Sequence, residues 1–151
     1  MRKELQKLPS TLIGVSGEYF VAAELSIRGF AVSLTLRNTD SIDLLATNLK
    51  DKKYISIQVK TNKDGKRRWI LGEKSEKSFE KHYYIFVSLK GINERPEYFI
   101  VPSNDVATAV KKTHKNWLKQ PGKNGKKHKD VPMRRFEDIN GEYLEKWSLL
   151  K

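Results

Sequence analysis

Apolar residues recur at helical spacing between Thr11 and Arg28, in the most regular segment of the chain. Pro9-Ser10-Thr11 offers a helix start, and Gly29 stands where a C-terminal cap is expected. One face of the predicted helix carries Glu18 within a stripe of small and apolar residues: Gly14, Val15, Val21, Ala22, Leu25 and Gly29. The pattern predicts a helix that packs this stripe against a sheet.

Beyond the helix, short segments rich in β-branched and aromatic residues are separated by polar turns. Segments 30–36, 41–48 and 53–61 predict three strands in an antiparallel meander. Segment 82–89 is apolar nearly throughout and predicts a central strand covered on both faces. Further predictions are a short strand at 69–71, a helical turn at 75–81, a strand at 97–101, a helix at 106–112 and a terminal helix at 140–150. Together they predict an α/β fold, with a central mixed β-sheet flanked by helices.

The chain has 151 residues, no internal repeat and no evident linker, which predicts one domain over 1–151. Pro121, Gly122 and Gly125 lie among lysines and predict a mobile basic loop at about 119–130. The absence of cysteine excludes disulfide scaffolds and thiolate metal sites. No apolar segment approaches the ~20 residues that span a bilayer, and the first residues lack a signal sequence. We expect a soluble, cytoplasmic protein without a membrane partner.

Basic residues outnumber acidic ones by 30 to 18, which gives a formal net charge of +12. Ten of the basic residues lie between Lys111 and Arg135, where Asp130 is the only acid. This clustering predicts a polyanionic partner, DNA or RNA, whereas the simpler interpretation is a solvated lysine-rich surface. The residues expected at nucleic-acid phosphates are Lys63, Lys66, Arg67, Arg68, Lys123, Lys126, Lys127 and Lys129.

Two neighbouring strands are predicted to bring polar side chains together. Side chains alternate along a strand, so Gln58 and Lys60 share one face. Antiparallel pairing around a turn at 50–51 places Asp43 opposite Gln58. A carboxylate, an amide oxygen and an ammonium group would then converge, which is what metal-assisted phosphodiester hydrolysis requires.

Each candidate residue also has a simpler interpretation. Glu18 could stand at the edge of its stripe and reach solvent or pair with Arg28 or Lys60. Asp43 is disfavoured inside a strand by propensity and, without a metal, would be the structural partner of Lys60. Lys60 could also be a strand-end lysine in solvent. Asp40 is interpreted as a turn residue and as a reserve ligand.

The order of these segments resembles the PD-(D/E)XK nuclease superfamily. Gly17-Glu18 on the first helix is followed by Ile42-Asp43-Leu44-Leu45-Ala46 and then by Ile57-Gln58-Val59-Lys60-Thr61. The likeness covers residues 14–61 and is nearest to the Holliday-junction-resolvase-like and type IV restriction-like branches. It implies a restriction-endonuclease-like fold.

The same resemblance implies a role for each residue of the site. Glu18, Asp43 and Gln58 would bind a metal ion together with the Val59 backbone carbonyl, and Lys60 would be the catalytic lysine. The cofactor would be Mg²⁺, for which Mn²⁺ substitutes. Members of the superfamily frequently act as dimers, which implies a homodimer here.

These observations predict a metal-dependent endonuclease that hydrolyses phosphodiester bonds of double-stranded or branched DNA. Gln58 stands where the family pattern has an acid, and no proline precedes Asp43. Gln58 therefore motivates a first alternative, a catalytically inactive nucleic-acid-binding module with a nuclease-like fold. A second alternative is a partner subunit of a restriction or repair assembly.

Overall fold

The structure, a computed structural model, describes residues 2–36 and 41–151. The described part contains three α-helices and seven strands: α1 (Arg2–Lys7), α2 (Ser10–Ile27), β1 (Phe30–Leu34), β2 (Leu44–Asn48), β3 (Tyr54–Asn62), β4 (Arg68–Gly72), β5 (His82–Ser88), β6 (Glu97–Pro102), α3 (Ser103–Lys119) and β7 (Met133–Glu137). Short 3₁₀ segments lie at Glu73–Glu76, Lys123–Gly125 and Trp147–Leu149. None of the described helices is both long and apolar enough to cross a membrane.

Five strands form the main sheet in the order β1-β2-β3-β5-β6. The first three make the predicted antiparallel meander, β5 runs parallel to β3, and β6 is antiparallel to β5. Leu44 pairs with Ile57 and Thr47 with Tyr54, which confirms the predicted register of the second hairpin. β4 and β7 form a separate antiparallel ribbon. The predicted α/β fold, a mixed sheet flanked by helices, is confirmed.

Helix α2 packs on one face of the main sheet. Its buried residues recur every four positions: Ile13, Gly17, Val21 and Leu25. Ile13, Val21 and Leu25 belong to an aliphatic core that includes Ile57 and Val59 of β3, and Gly17 packs against Thr61 of the same strand. The buried stripe is shifted by one position from the predicted one, so Glu18 lies at its edge and is half-buried.

A second core, which is mainly aromatic, covers the opposite face of the sheet. Its buried members are Trp69, Leu71, Tyr84, Phe86, Phe99, Val101, Val106, Val110 and Phe136. Phe86 of β5 stacks on Phe136 of β7, with ring centroids 4.5 Å apart. The Trp69 indole N–H donates a hydrogen bond to the Val87 carbonyl at 3.0 Å. Helix α3 and the β4–β7 ribbon therefore close this face over β5 and β6.

The predicted terminal helix over 140–150 is wrong. The Glu145 N–H donates to the Tyr98 carbonyl at 2.8 Å, and Phe99 forms an isolated bridge with Leu144. Gly141 turns the chain with φ +73°. Backbone hydrogen bonds to β6 thus replace the i to i−4 bonds that a helix would make, and they depend on a distant strand.

Other boundaries differ from the predictions. Helix α3 is longer than 106–112, while β1 ends at Leu34 and β2 begins only at Leu44. The predicted turn at 75–81 is the 3₁₀ segment Glu73–Glu76, and α1 and β7 were not predicted. In the basic loop, Pro121 and Lys127 form an isolated bridge. The mobility of that loop stays a prediction.

Candidate active site

Asp43 is held against β3 by two hydrogen bonds. It lies one position before β2, and its backbone N–H donates to the Ile57 carbonyl at 2.9 Å. Its carboxylate oxygen Oδ2 accepts a hydrogen bond from the Val59 N–H at 2.7 Å. Because Val59 separates Gln58 from Lys60, the carboxylate is fixed beside the two predicted polar positions.

Gln58 and Lys60 project from the face of β3 opposite α2. Both side chains are half-buried and line one cavity of about 140 Å³ together with Tyr84. In the parallel pairing of β3 with β5, Gln58 stands beside Tyr84 and Lys60 beside Phe86. Burial raises the pKa of Tyr84, so its phenol stays protonated and can donate a hydrogen bond.

Glu18 belongs to the helix on the other face of the sheet. Its neighbour Gly17 packs directly on β3, where a Cβ would lie 2.9 Å from the Cβ of Thr61. This close approach sets Glu18 near the end of β3 that carries Lys60. Among the described residues, β2 pairs with β3 only as far as Ile57. The structure thus brings Asp43, Gln58, Val59 and Lys60 together. Glu18 lies on α2, on the opposite face of the sheet.

The cavity with Gln58 and Lys60 is the centre of a longer depression. A cavity of about 380 Å³ shares Lys74 and Tyr84 with it, and one of about 470 Å³ shares Lys60. We call these three adjoining cavities together the trench; the residues that line it include Ser56, Gln58, Lys60, Arg68, Lys74 and Arg135. Asp64 adds one acid to the lining, so cations dominate.

His82 closes one end of the trench. Its Nδ1 lies 2.8 Å from the Ser56 hydroxyl, and its ring meets Tyr84 edge-on at 5.5 Å. Burial lowers the pKa of His82, although the nearby charge of Asp43 acts in the opposite direction. The imidazole is therefore predominantly neutral near pH 7 and supports β3 by hydrogen bonding.

Solved structures of nucleases share this architecture. The bacterial homing endonuclease I-Ssp6803I aligns with 95% of this chain and 93% of its own, with a TM-score of 0.54 at 12% identity. This chain has a nuclease-like fold. The resemblance to restriction-endonuclease-like nucleases is thereby confirmed at the level of the fold, which is all that 12% identity shows.

A second solved structure is similar over less of the chain. Hjc, a Holliday junction resolvase from Archaeoglobus fulgidus, aligns with 78% of this chain and 85% of its own. Its TM-score is 0.41 at 12% identity, so the assignment of the nuclease-like fold rests on the homing endonuclease. No protein-family model matches the chain, and the search of curated proteins gives no significant match.

The predicted phosphate-binding residues divide into two groups on this nuclease-like fold. Lys63 donates to the Gln6 and Leu8 carbonyls at 3.1 and 2.7 Å, and Arg67 binds Glu97 at 3.0 Å. These two side chains hold parts of the fold together. The exposed members of the set are Lys66, Arg68, Lys123, Lys126, Lys127 and Lys129. Only Arg68 of these lines the trench.

Sequence reasoning missed several residues of the trench, among them Lys74, Arg135 and Tyr84. Lys74 and Arg135 line it although they lie far from β3 in the chain, and Tyr84 lies beside Gln58 on the neighbouring strand. The apolar segment that contains Tyr84 predicts a central strand, but only the register with β3 reveals its neighbour. Asp40, the predicted reserve ligand, lies outside the described residues.

Proposed function

We propose that this protein is a metal-dependent endonuclease that hydrolyses phosphodiester bonds of double-stranded or branched DNA. The observation that carries the proposal is the Asp43 carboxylate bound to the Val59 N–H between Gln58 and Lys60. Gln58 and Lys60 line a trench that is rich in lysine and arginine, and the Asp43 carboxylate is held beside them through Val59, on a nuclease-like fold. Phosphates would be attracted to the same place where a carboxylate and an amide oxygen are held.

The oxygen donors present suit a hard divalent cation. Asp43 offers a carboxylate and Gln58 an amide oxygen, and the Val59 carbonyl would contribute from the backbone of the same strand. Glu18 would reach these donors around the edge of β3 beyond Ile57. Within the described residues, no three His, Cys, Asp or Glu side chains form a metal-binding group, and the proposed ligand set includes the Gln58 amide. A bound Mg²⁺ would supply charge stabilisation and an acidified water.

Each side chain of the proposed site would have a separate role. Lys60 would lie against the phosphate and stabilise the charge that develops there. Asp43 is already oriented by the Val59 N–H, which removes part of the entropy cost of placing its carboxylate. Arg68 and Arg135 would hold the neighbouring phosphates.

The first test is cleavage by matched variants. Linear, supercoiled, branched and single-stranded DNA are incubated with wild type, Asp43→Asn and Lys60→Met, with Mg²⁺ or Mn²⁺. We expect both variants to lose cleavage while retaining the thermal transition of wild type. Asp51→Asn is the control for the carboxylate, because Asp51 lies in the β2–β3 turn and is exposed.

Metal binding is measured separately by calorimetric titration with Mn²⁺. Heat of binding that is present in wild type and Asp51→Asn but absent in Asp43→Asn would support the assigned site. If Asp43→Asn cleaves every substrate as well as wild type does, the catalytic assignment is wrong.

A second candidate function is a nucleic-acid-binding module that does not cleave. Gln58 favours it, because an amide leaves the site with less negative charge than a third carboxylate would. Such a module would bind DNA in the trench with a steep salt dependence. It would show no Mn²⁺ uptake that depends on Asp43.

A further inference from the structure

A small apolar pocket lies beyond the trench, between α3 and the β4–β7 ribbon. Its volume is about 110 Å³, and its apolar walls are Ile70, Trp117, Val131 and Met133. Ile70 is 54% exposed and Met133 51% exposed. Because these two walls stay open to solvent, a ligand can reach the pocket.

The wall formed by Trp117 belongs to a stack of flat rings. The His128 ring lies 4.0 Å from the Trp117 ring at an interplanar angle of 23°, and the His114 ring lies 5.6 Å away at 25°. His114 is fixed in turn, because its Nε2 lies 2.7 Å from the Asp130 carboxylate. The indole is therefore held in one orientation beside the pocket, which favours a planar ligand.

The pocket and the trench share a wall. Ile70 and Arg135 face each other across the ribbon, and both line the pocket as well as the part of the trench that contains Lys60. Arg134 is occupied inside the protein, where its guanidinium binds Glu76 and the Val131 carbonyl. Arg135 is 48% exposed, lies 3.6 Å from the Glu137 carboxylate and lines both cavities.

We infer that the pocket accepts one unpaired nucleobase of a polynucleotide whose phosphates lie in the trench. The inference rests on the proposed function, since it requires nucleic acid at Lys60 and Arg135. The pocket is smaller than an engineered apolar cavity of about 150 Å³ that binds benzene, but its walls Ile70 and Met133 are half-exposed, so a base could lie partly inside it and partly against its rim. Base stacking on an aromatic wall tolerates any sequence, whereas the unpaired state is required for entry. The substrate class is therefore DNA with an extruded or unpaired base beside the cleaved bond.

The inference is tested by binding without cleavage. Fluorescence anisotropy in EDTA compares a short labelled duplex with the same duplex carrying one unpaired adenine. We expect wild type to bind the second on the order of tenfold more tightly. Trp117→Ala should lose this preference, Trp117→Phe should keep most of it, and Thr113→Phe should lose it by filling the pocket that Thr113 lines.

Trp147→Ala is the matched control. Trp147 packs on Tyr98 at 5.4 Å and belongs to the aliphatic core, so its removal should leave the preference intact. If wild type binds both duplexes equally, the inference is wrong but the proposed function still stands. The same conclusion holds if Thr113→Phe still binds the duplex with the unpaired adenine more tightly. If Trp117→Ala fails to fold, Thr113→Phe decides. Absence of binding to both duplexes at low salt refutes the proposed function and this inference with it.

Discussion

The two faces of the main sheet are covered in different ways. On one face, α2 lies directly on β3, where Gly17 touches Thr61 and aliphatic side chains fill the space. On the other face, α3 and the β4–β7 ribbon pack an aromatic core on β5 and β6. There β3 is left at the floor of the trench, with Gln58 and Lys60 exposed to it.

Alternate residues of β3 therefore have different surroundings: one set is packed in the core, and the other lines the trench. Ile55 and Ile57 are 1% and 0% exposed under α2, whereas Gln58 and Lys60 are half-buried in the trench. The α2 backbone packs so closely on β3 that no ligand fits between them. Helix α3 and the β4–β7 ribbon pack on β5 and β6 instead, which leaves a groove over β3. Substitutions on the two faces should consequently separate stability from activity.

The largest expected effect is on cleavage, at Lys60. Lys60→Met keeps the length of the side chain but removes the charge, and should lower the cleavage rate about a hundred- to a thousandfold. Ile55→Val, on the other face of the same strand, should leave the rate unchanged and lower the free energy of unfolding by about 0.5–1.5 kcal/mol. Single-turnover cleavage and urea unfolding of each variant measure the two quantities.

A result in which Ile55→Val slows cleavage as much as Lys60→Met would show that the two faces are not independent. The same holds if Lys60→Met unfolds at a much lower urea concentration than wild type. Lys50→Met is the control for charge, because Lys50 is exposed in the turn at the far end of the hairpin.

The next effect concerns the closed face. Gly17→Ala would push a methyl group into Thr61, whose Cβ would be 2.9 Å away, and overpacking of this kind costs about 1–3 kcal/mol. Gly14→Ala, one turn earlier in α2, meets nothing within 4 Å and should stabilise the protein by about 0.5–1 kcal/mol. Thermal unfolding of the pair gives the comparison, and shifts of the same sign would contradict the close packing of α2 on β3.

The features that the sequence predicted share a local origin. The register that sets Asp43 beside Gln58 follows from strand alternation and a tight turn, both of which lie within 42–60. Helix α2 was predicted nearly to its ends because its apolar spacing is regular. The faces of Gln58 and Ile57 follow from a period of two and needed no tertiary information.

The features that it did not predict depend on distant partners. β7 contains Met133-Arg134-Arg135-Phe136-Glu137, whose charges conceal the alternation of buried Arg134 and Phe136. The cost of burying Arg134 is offset by Glu76, which lies 58 positions earlier. Arg135 of β7 and Lys74, in the 3₁₀ segment that follows β4, line the trench because the ribbon is folded over β5. The local sequence pattern predicted Asp43, Gln58 and Lys60, whereas Lys74 and Arg135 are brought to the candidate site only by tertiary packing.

A smaller effect is expected from the basic loop beside the pocket. The double variant Lys126→Gln, Lys127→Gln should bind DNA more weakly. The slope of the logarithm of the binding constant against the logarithm of the salt concentration should become shallower by about 1 for each phosphate that these two lysines neutralise in the wild-type complex. The cleavage rate at saturating DNA should stay the same, because neither side chain lines the trench cavities described above. The exposed pair Lys50→Gln with Lys53→Gln is the control of equal charge. An unchanged dissociation constant and slope would place the loop outside the interface.

The smallest expected effect is the pH dependence that His82 contributes to stability. Burial holds the pKa of His82 below its usual value of about 6.5, while the nearby charge of Asp43 acts in the opposite direction. The unfolded chain therefore binds more protons than the folded one at mildly acidic pH. As a result, the contribution of His82 to the free energy of unfolding is fully present above about pH 6.5 and declines as the pH falls below that value. His82→Gln should make this decline shallower, whereas His128→Gln, which leaves the trench unchanged, should keep it. Urea unfolding across that pH range measures both slopes, and equal slopes for wild type and His82→Gln would mean that the buried imidazole titrates as it does in water.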